Sequence, residues 1–214
     1  MTTTGRLKEL LEPIVSNDSA HAKWLNSLSM MENTGARKIS KYEDPRKVTE
    51  IILKHAAEEA RHAWYLKKMI VKLPGQACPD YTEAYLLAPV ESHQYLNLLD
   101  VEVCRFLKNK FALTGRALKH GAYLLVTYAI EVRADELYGD YQAVLSKLRS
   151  KVSVKSIIAE EEGHLREMRN MLESFHPEWE TIAEEAIKIE NRLFDRWIDA
   201  VELEMKTQKQ PEIA

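Results

Sequence analysis

The sequence predicts an all-α protein, on three observations. Only 7 Gly and 7 Pro interrupt 214 residues, 45% of the chain is hydrophobic and 29% charged, and apolar residues recur at helical steps over long stretches. A turn-rich sheet protein would carry more Gly and Pro, and a disordered chain fewer apolar residues. The length suits one sizeable core, so residues 1–214 are read as a single domain.

The first helix is predicted from Asn17 to about Ser40, with Trp24, Leu25, Leu28, Met31 and Ile39 as its apolar residues. A KYEDP break follows, in which Asp44 can cap and Pro45 can open a second helix reaching about Lys72. Val48, Ile52, Leu53, Ala56, Ala60, Ala63 and Leu66 mark the apolar stripe of that helix, and LPGQACPDY ends it. Within residues 81–115, YLNLLDVEVCRFLKNKFAL reads as a helix that crosses the molecule before the chain turns near TGR. Residues 116 to about 147 form the longest candidate. It is apolar on nearly every side between Ala117 and Val132, as expected of a helix surrounded by others, yet Glu131 sits inside that stretch. The turn KLRSKVS leads to a helix from about Val152 to Phe175, stopped by Pro177. A last helix, from 179 to about 206, puts Ile182, Ala186, Ile189, Leu193, Trp197 and Val201 on one stripe, to pad the bundle or to contact a second subunit in a homodimer. The tail KTQKQPEIA is expected to fray.

A net charge of -3 and a pI near 6.2 offer no general attraction to phosphate backbones or anionic lipid, so a nucleic-acid partner is not favoured. The nearest approach to a membrane span, GAYLLVTYAI, falls short of the roughly 18 residues required. The start MTTTGRLKELLEPIV lacks the apolar run of a signal peptide, which makes a cytoplasmic location the expectation. Cys78 and Cys104 form no CxxC pair, and are expected to be buried thiols rather than zinc ligands or a redox couple.

Chemistry enters with HAAEEARHAWYLKKM (residues 55–69) and AEEEGHLREM (159–168). A residue and the one three positions on lie about 60° apart around a helix, so Glu59 with His62, and Glu161 with His164, can each aim at one point. The composition yields about one Glu-x-x-His by chance, and the chain has three. The third, Glu173 with His176, runs into Pro177 and is set aside. Glu58 and Glu160 stand at i, i+4 from the histidines and face alike, so periodicity leaves them as alternatives to their neighbours, with Glu162 turned to solvent. Glu32 lies 27 residues before Glu59, and Glu131 lies 30 before Glu161, each on the preceding helix. A helical hairpin is thus used twice. Two packed hairpins would gather four carboxylates and two imidazoles in a bundle, the donor set of di-iron and di-manganese carboxylate proteins.

On these residues the chain resembles the ferritin-like di-iron carboxylate proteins, with EEARH and EEEGH similar to the rubrerythrin branch. The resemblance covers roughly residues 17–175. It implies a ferritin-like four-helix bundle with two additions, the crossover segment 81–115 and the C-terminal helix 179–206. It makes Glu32 and Glu131 lone metal ligands, Glu59, His62, Glu161 and His164 paired ones, and Glu59 and Glu161 the bridges. The implied cofactor is two Fe ions, with Mn as the alternative, and the implied activity is an oxidoreductase that activates O2 or peroxide against a small-molecule substrate. A rubrerythrin would carry a rubredoxin-like centre with two CxxC pairs; without them electrons must come from an external donor or from the substrate.

Charge and donor type agree with that implication. Four facing carboxylates repel in an interior, two divalent cations cancel them, and oxygen-rich ligands with two imidazoles favour iron or manganese over structural zinc. Around the site, Asp135 could accept from the non-ligating nitrogen of His62 or His164 or pair with a nearby Arg, Tyr128 could line the site or simply pack, and Gly35 and Ala36 would leave space beside the metals or simply let helices pack closely. Of the other histidines, His55 lies one turn before Glu59, whereas His21, His93 and His120 have no partner pattern. Three rival functions remain: a ferroxidase or iron-handling protein, a hydroxylase of a modified tRNA nucleoside, which the acidic balance disfavours, and a metal-free helical interaction protein, which leaves Glu131 unexplained.

Overall fold

The computed structural model describes residues 3–43 and 48–207, which form seven α-helices and one short 3-10 turn, with no strand among the described residues. The expected capping by Asp44 and Pro45, the side chain of Glu162 and the tail beyond residue 207 lie outside what is described.

Helix α1 (Thr3–Val15) has no counterpart among the expected elements. Leu7, Leu10, Leu11 and Ile14 repeat at helical steps and are buried, mainly against α5. A helix this short is marginal alone, and that tertiary burial sustains it. Helix α2 (Asp18–Tyr42) starts where Asn17 accepts a hydrogen bond from the Ala20 amide. It packs along α3 (Glu50–Ile70), whose cap is Thr49, accepting from the Ile52 amide at 3.3 Å.

The inward face of α3 differs from the expected stripe. Val48 and Leu53 are about half exposed and Ala60 is exposed, while Ile52, His55, Glu59, His62 and Leu66 are buried. The spacing remains helical, but polar residues occupy the core face. The remaining polar burial in α2 has a structural use: Asn26 donates to the carbonyls of Asp80 and Tyr85, and Ser27 accepts from the Leu87 amide. These bonds pin the crossover loop, including the 3-10 turn Glu83–Tyr85, over the bundle.

The crossover ends in α4 (Pro89–Phe111), followed by α5 (Gly115–Lys147), α6 (Lys155–Phe175) and α7 (Trp179–Thr207). Helix α5 lies against α1, α2, α4, α6 and α7, which accounts for its apolar character on most sides. Helix α7 packs inward on α4 and α5, with Trp197 stacked on Trp24 at 5.2 Å between ring centres. Its buried stripe takes Glu190 in place of the half-buried Ile189, because Arg133 of α5 donates to both oxygens of Glu190 at 2.9 Å. A buried pair of this kind is costly to break from one side, so it sets the rotation of α5 about its axis. Cys78 and Cys104 are free and half-buried. Among the described residues no helix is long and apolar enough to cross a membrane.

Two alanines adopt left-handed backbone at the ends of α4: Ala88 with φ 43° and Ala112 with φ 52°. Ala112 is exposed and its amide closes the helix on the Lys108 carbonyl, a position that favours glycine. Ala112→Gly is expected to raise stability by about 0.5–1 kcal/mol in urea denaturation, after the larger unfolded-state entropy of glycine is allowed for. A lower midpoint would contradict this account of the cap.

Candidate metal centre

Helices α2, α3, α5 and α6 bring the six sequence-predicted residues into one cluster. Glu59, His62, Glu131, Glu161 and His164 are buried, and Glu32 is half-buried at its edge. Donor atoms of Glu59, Glu131, Glu161 and His164 lie within 4.8 Å of one another, as do those of Glu32, Glu59 and His62. Glu59 therefore belongs to both sets. Glu161 touches both imidazoles: one oxygen lies 3.1 Å from His62 Nδ1 and the other 3.3 Å from His164 Nδ1. Glu131 is 3.5 Å from His164 Nδ1, and Glu32 is 3.9 Å from His62 Nδ1.

The outer nitrogens are held by an exchange between the two EExxH segments. His62 Nε2–H donates to Glu160 at 2.8 Å, and His164 Nε2–H donates to Glu58 at 2.7 Å. Each histidine is thus oriented by the carboxylate that precedes the inward glutamate of the opposite helix, leaving Nδ1 toward the cluster. Arg61 forks onto Glu160 at 2.6 and 2.7 Å. This answers the ambiguity between neighbours, since Glu59 and Glu161 face inward while Glu58 and Glu160 hold imidazoles from outside.

It also corrects one expectation and decides another. Asp135 is exposed and does not orient either histidine, because the Nε2 atoms point into the α3–α6 interface. Tyr128, read as either lining the site or packing, packs edge-on against Trp179 at 6.2 Å. The tyrosine at the cluster is Tyr138, which donates to Glu32; it was legible as the residue two helical turns beyond Glu131. His55 does lie beside the cluster, its ring 4.8 Å from that of His164 and its Nε2 2.8 Å from Glu167.

Several inward atoms have no hydrogen-bond partner despite full burial: Nδ1 of both His62 and His164, and one oxygen each of Glu131 and Glu161. Unsatisfied buried polar atoms are rare; others, such as His21 Nδ1 and Tyr123 Oη, are scattered among the described residues, but these four face one cluster, as donors to a cation would. Burial first, then the charges of Glu32, Glu131 and Glu161, hold Glu59 well above the ordinary carboxyl value, and burial with Glu161 does the same to Glu131. Burial also works to raise Glu161, but Glu131, His164 and His62 outweigh it and hold that carboxyl well below its usual range. For the imidazoles burial works downward, yet their carboxylate neighbours raise His62 and push His164 up to about 11. Protons shared among these groups do the neutralising that divalent cations could do instead. Two overlapping donor groups could hold such ions, one of Glu32, Glu59 and His62 and the other of Glu59, Glu131, Glu161 and His164.

A cavity of about 640 Å³ opens beside the cluster, with Glu32, Glu59, Glu131 and Tyr138 in its wall. Gly35 also lines it, and a Cβ there would lie 3.4 Å from a Glu59 oxygen, so α2 passes close over that carboxylate. No family model, curated protein or solved structure matches the chain.

Two outcomes are expected. Glu59, Glu131, His62 and His164 all have raised values, so in chelator-treated protein these four bind more protons folded than unfolded, and their contribution to stability is lost as pH rises. Burial lowers His21 to about 4 and also lowers His55, and these two add stability as pH rises to about 6.5. The share from His164 is fully present below 6.5 and lost on the way to about 11. Glu161 has the opposite sign, losing its contribution as pH falls below 4.5. Between about pH 7 and 9, where His21 and His55 are neutral folded or unfolded, thermal melts should therefore decline for chelated protein and flatten on adding ferrous ion. A chelated melt that rises with pH would be inconsistent with this charge balance. Glu58→Gln and Glu160→Gln should each weaken iron affinity by about 10–100-fold with the fold intact by circular dichroism; unchanged affinity would deny these carboxylates an orienting role.

Proposed function

We propose that this chain is a ferritin-like dinuclear metal oxidoreductase that uses iron, with manganese as the alternative, to activate O2 or peroxide against a small organic substrate. The observation that carries the reading is the two-sided cluster, in which four glutamates and two Nδ1 atoms converge while Glu58 and Glu160 hold the outer nitrogens. The helix order supports the ferritin-like part. α2 with α3, and α5 with α6, make two hairpins with a lone glutamate and a Glu-x-x-His each, and the crossover with α4 lies between them.

Two such ions, when bound, would supply the redox chemistry: electrons pass to O2 or peroxide, and are regained from the substrate or from an external donor. The protein's own part is positional and electrostatic. Glu58 and Glu160 fix the ring orientations, Tyr138 donates to Glu32 and holds it at the cluster edge, and apolar walls limit water at the open side. An iron-handling protein with no organic substrate has no use for a chamber of this size beside its metals, which ranks that reading second.

Anaerobic titration with ferrous ion should reach two per chain, and subsequent air should produce a metal-dependent near-ultraviolet absorption with consumption of O2. Glu131→Ala and His164→Ala should each abolish the spectral change. A spectrum indifferent to iron, together with thermal stability indifferent to chelator, would favour the metal-free interaction protein.

A further inference from the structure

We infer that the chamber beside the cluster receives a small amphipathic organic anion, its apolar body against α2, α4 and α5 and its anionic group at a rim formed by Arg37, Lys38, Lys41 and Lys119. This deepens the proposed function and rests on it for which end of the ligand reacts.

The volume, about 640 Å³, lies within the range of small-molecule sites. Its walls are mostly apolar, with Ile39 from α2, Leu96 from α4, and Ala122, Val126, Ile130 and Leu137 from α5. Val126 and Ile130 sit midway along the most enclosed helix yet are only partly buried, because the chamber adjoins them. Such walls select an apolar body.

Charge decides its orientation. The deep end carries Glu32, Glu59 and Glu131, which repel an anion or, with cations bound, are roughly neutral. The outer end carries four cations and one carboxylate, Asp100, in a chain whose overall charge is -3. Lys38 pairs with Asp100 at 3.0 Å, and Lys119 donates to the Lys41 carbonyl at 2.9 Å. Arg37 and Lys41 are exposed, one turn apart on one face of α2, and form no ion pair among the described residues. From Glu32 to these two is about 8–14 Å of rise along the helix, and they also lie well around it from Glu32, so that rise is the least length the apolar body must span. An anion anchored at the rim would thus present its far, apolar end to the cluster.

Calorimetric titration of iron-loaded protein with decanoate and with decanol tests this, with iron content measured on the same samples. Decanoate should bind saturably, one per chain and about tenfold or more tighter than decanol. The exposed double variant Arg37→Glu/Lys41→Glu should erase that advantage while decanol affinity and iron content stay unchanged. Val126→Trp should abolish binding of both probes with iron content retained. Equal affinity for the two probes, or a double reversal without effect, would overturn the anionic class, and no saturable binding of either would overturn the chamber. Decanoate binding with these signatures in protein that takes up no iron would keep the chamber and remove the oxidoreductase reading; iron uptake without decanoate binding would do the reverse.

Discussion

Mutual repulsion among carboxylates enclosed by four helices is the constraint on which this structure turns. Glu59, Glu131 and Glu161 are buried together, with Glu32 at their edge, and an interior of low polarity magnifies the cost of ionising them side by side. Something positive must stand among them. Two imidazoles and shared protons serve in the metal-free protein, and in the proposed centre two divalent cations take over. A core assembled for stability alone would fill these positions with apolar side chains of similar volume.

The surrounding architecture follows from holding that cluster in register. Exchange of Glu58 and Glu160 between α3 and α6 ties each histidine to the opposite hairpin, so neither ring can turn without disturbing the other helix. Arg61 on Glu160 and Lys54 on Glu167 extend the same interface outward as ion pairs. On the far side of α5, Arg133 and Glu190 fix the rotation that aims Glu131 inward. The molecule is therefore polar at its centre and at one flank, and apolar between, with the chamber occupying part of that apolar layer.

Six cluster residues were legible because a helix converts spacing into direction, and a glutamate inside the apolar run of α5 is anomalous on any bland reading. Direction within a turn was harder. Positions i+3 and i+4 face alike, so the separate tasks of Glu58 and Glu59 were settled only by what α6 presents to them. Asp135 was placed by the same logic and failed, since the outer nitrogens look along α3–α6 rather than toward α5. The stripe of α3 was misjudged at Val48 and Leu53 because hydrophobicity was taken to mark the core face, whereas His55, Glu59 and His62 occupy it. Helix α1 carried a helical-step signal in Leu7, Leu10, Leu11 and Ile14 that went unread, whereas the chamber depends on contacts between segments distant in sequence, which periodicity along one segment does not encode.

The most direct measurement is anomalous diffraction at the iron edge from crystals of protein loaded with ferrous ion. Two peaks are expected flanked by Glu59 and Glu161, one beside Glu32 and His62 and the other beside Glu131 and His164. Density peaks confined to the surface, or none, with the four glutamates still facing one another, would mean that protons alone neutralise the cluster and would contradict the account at its root.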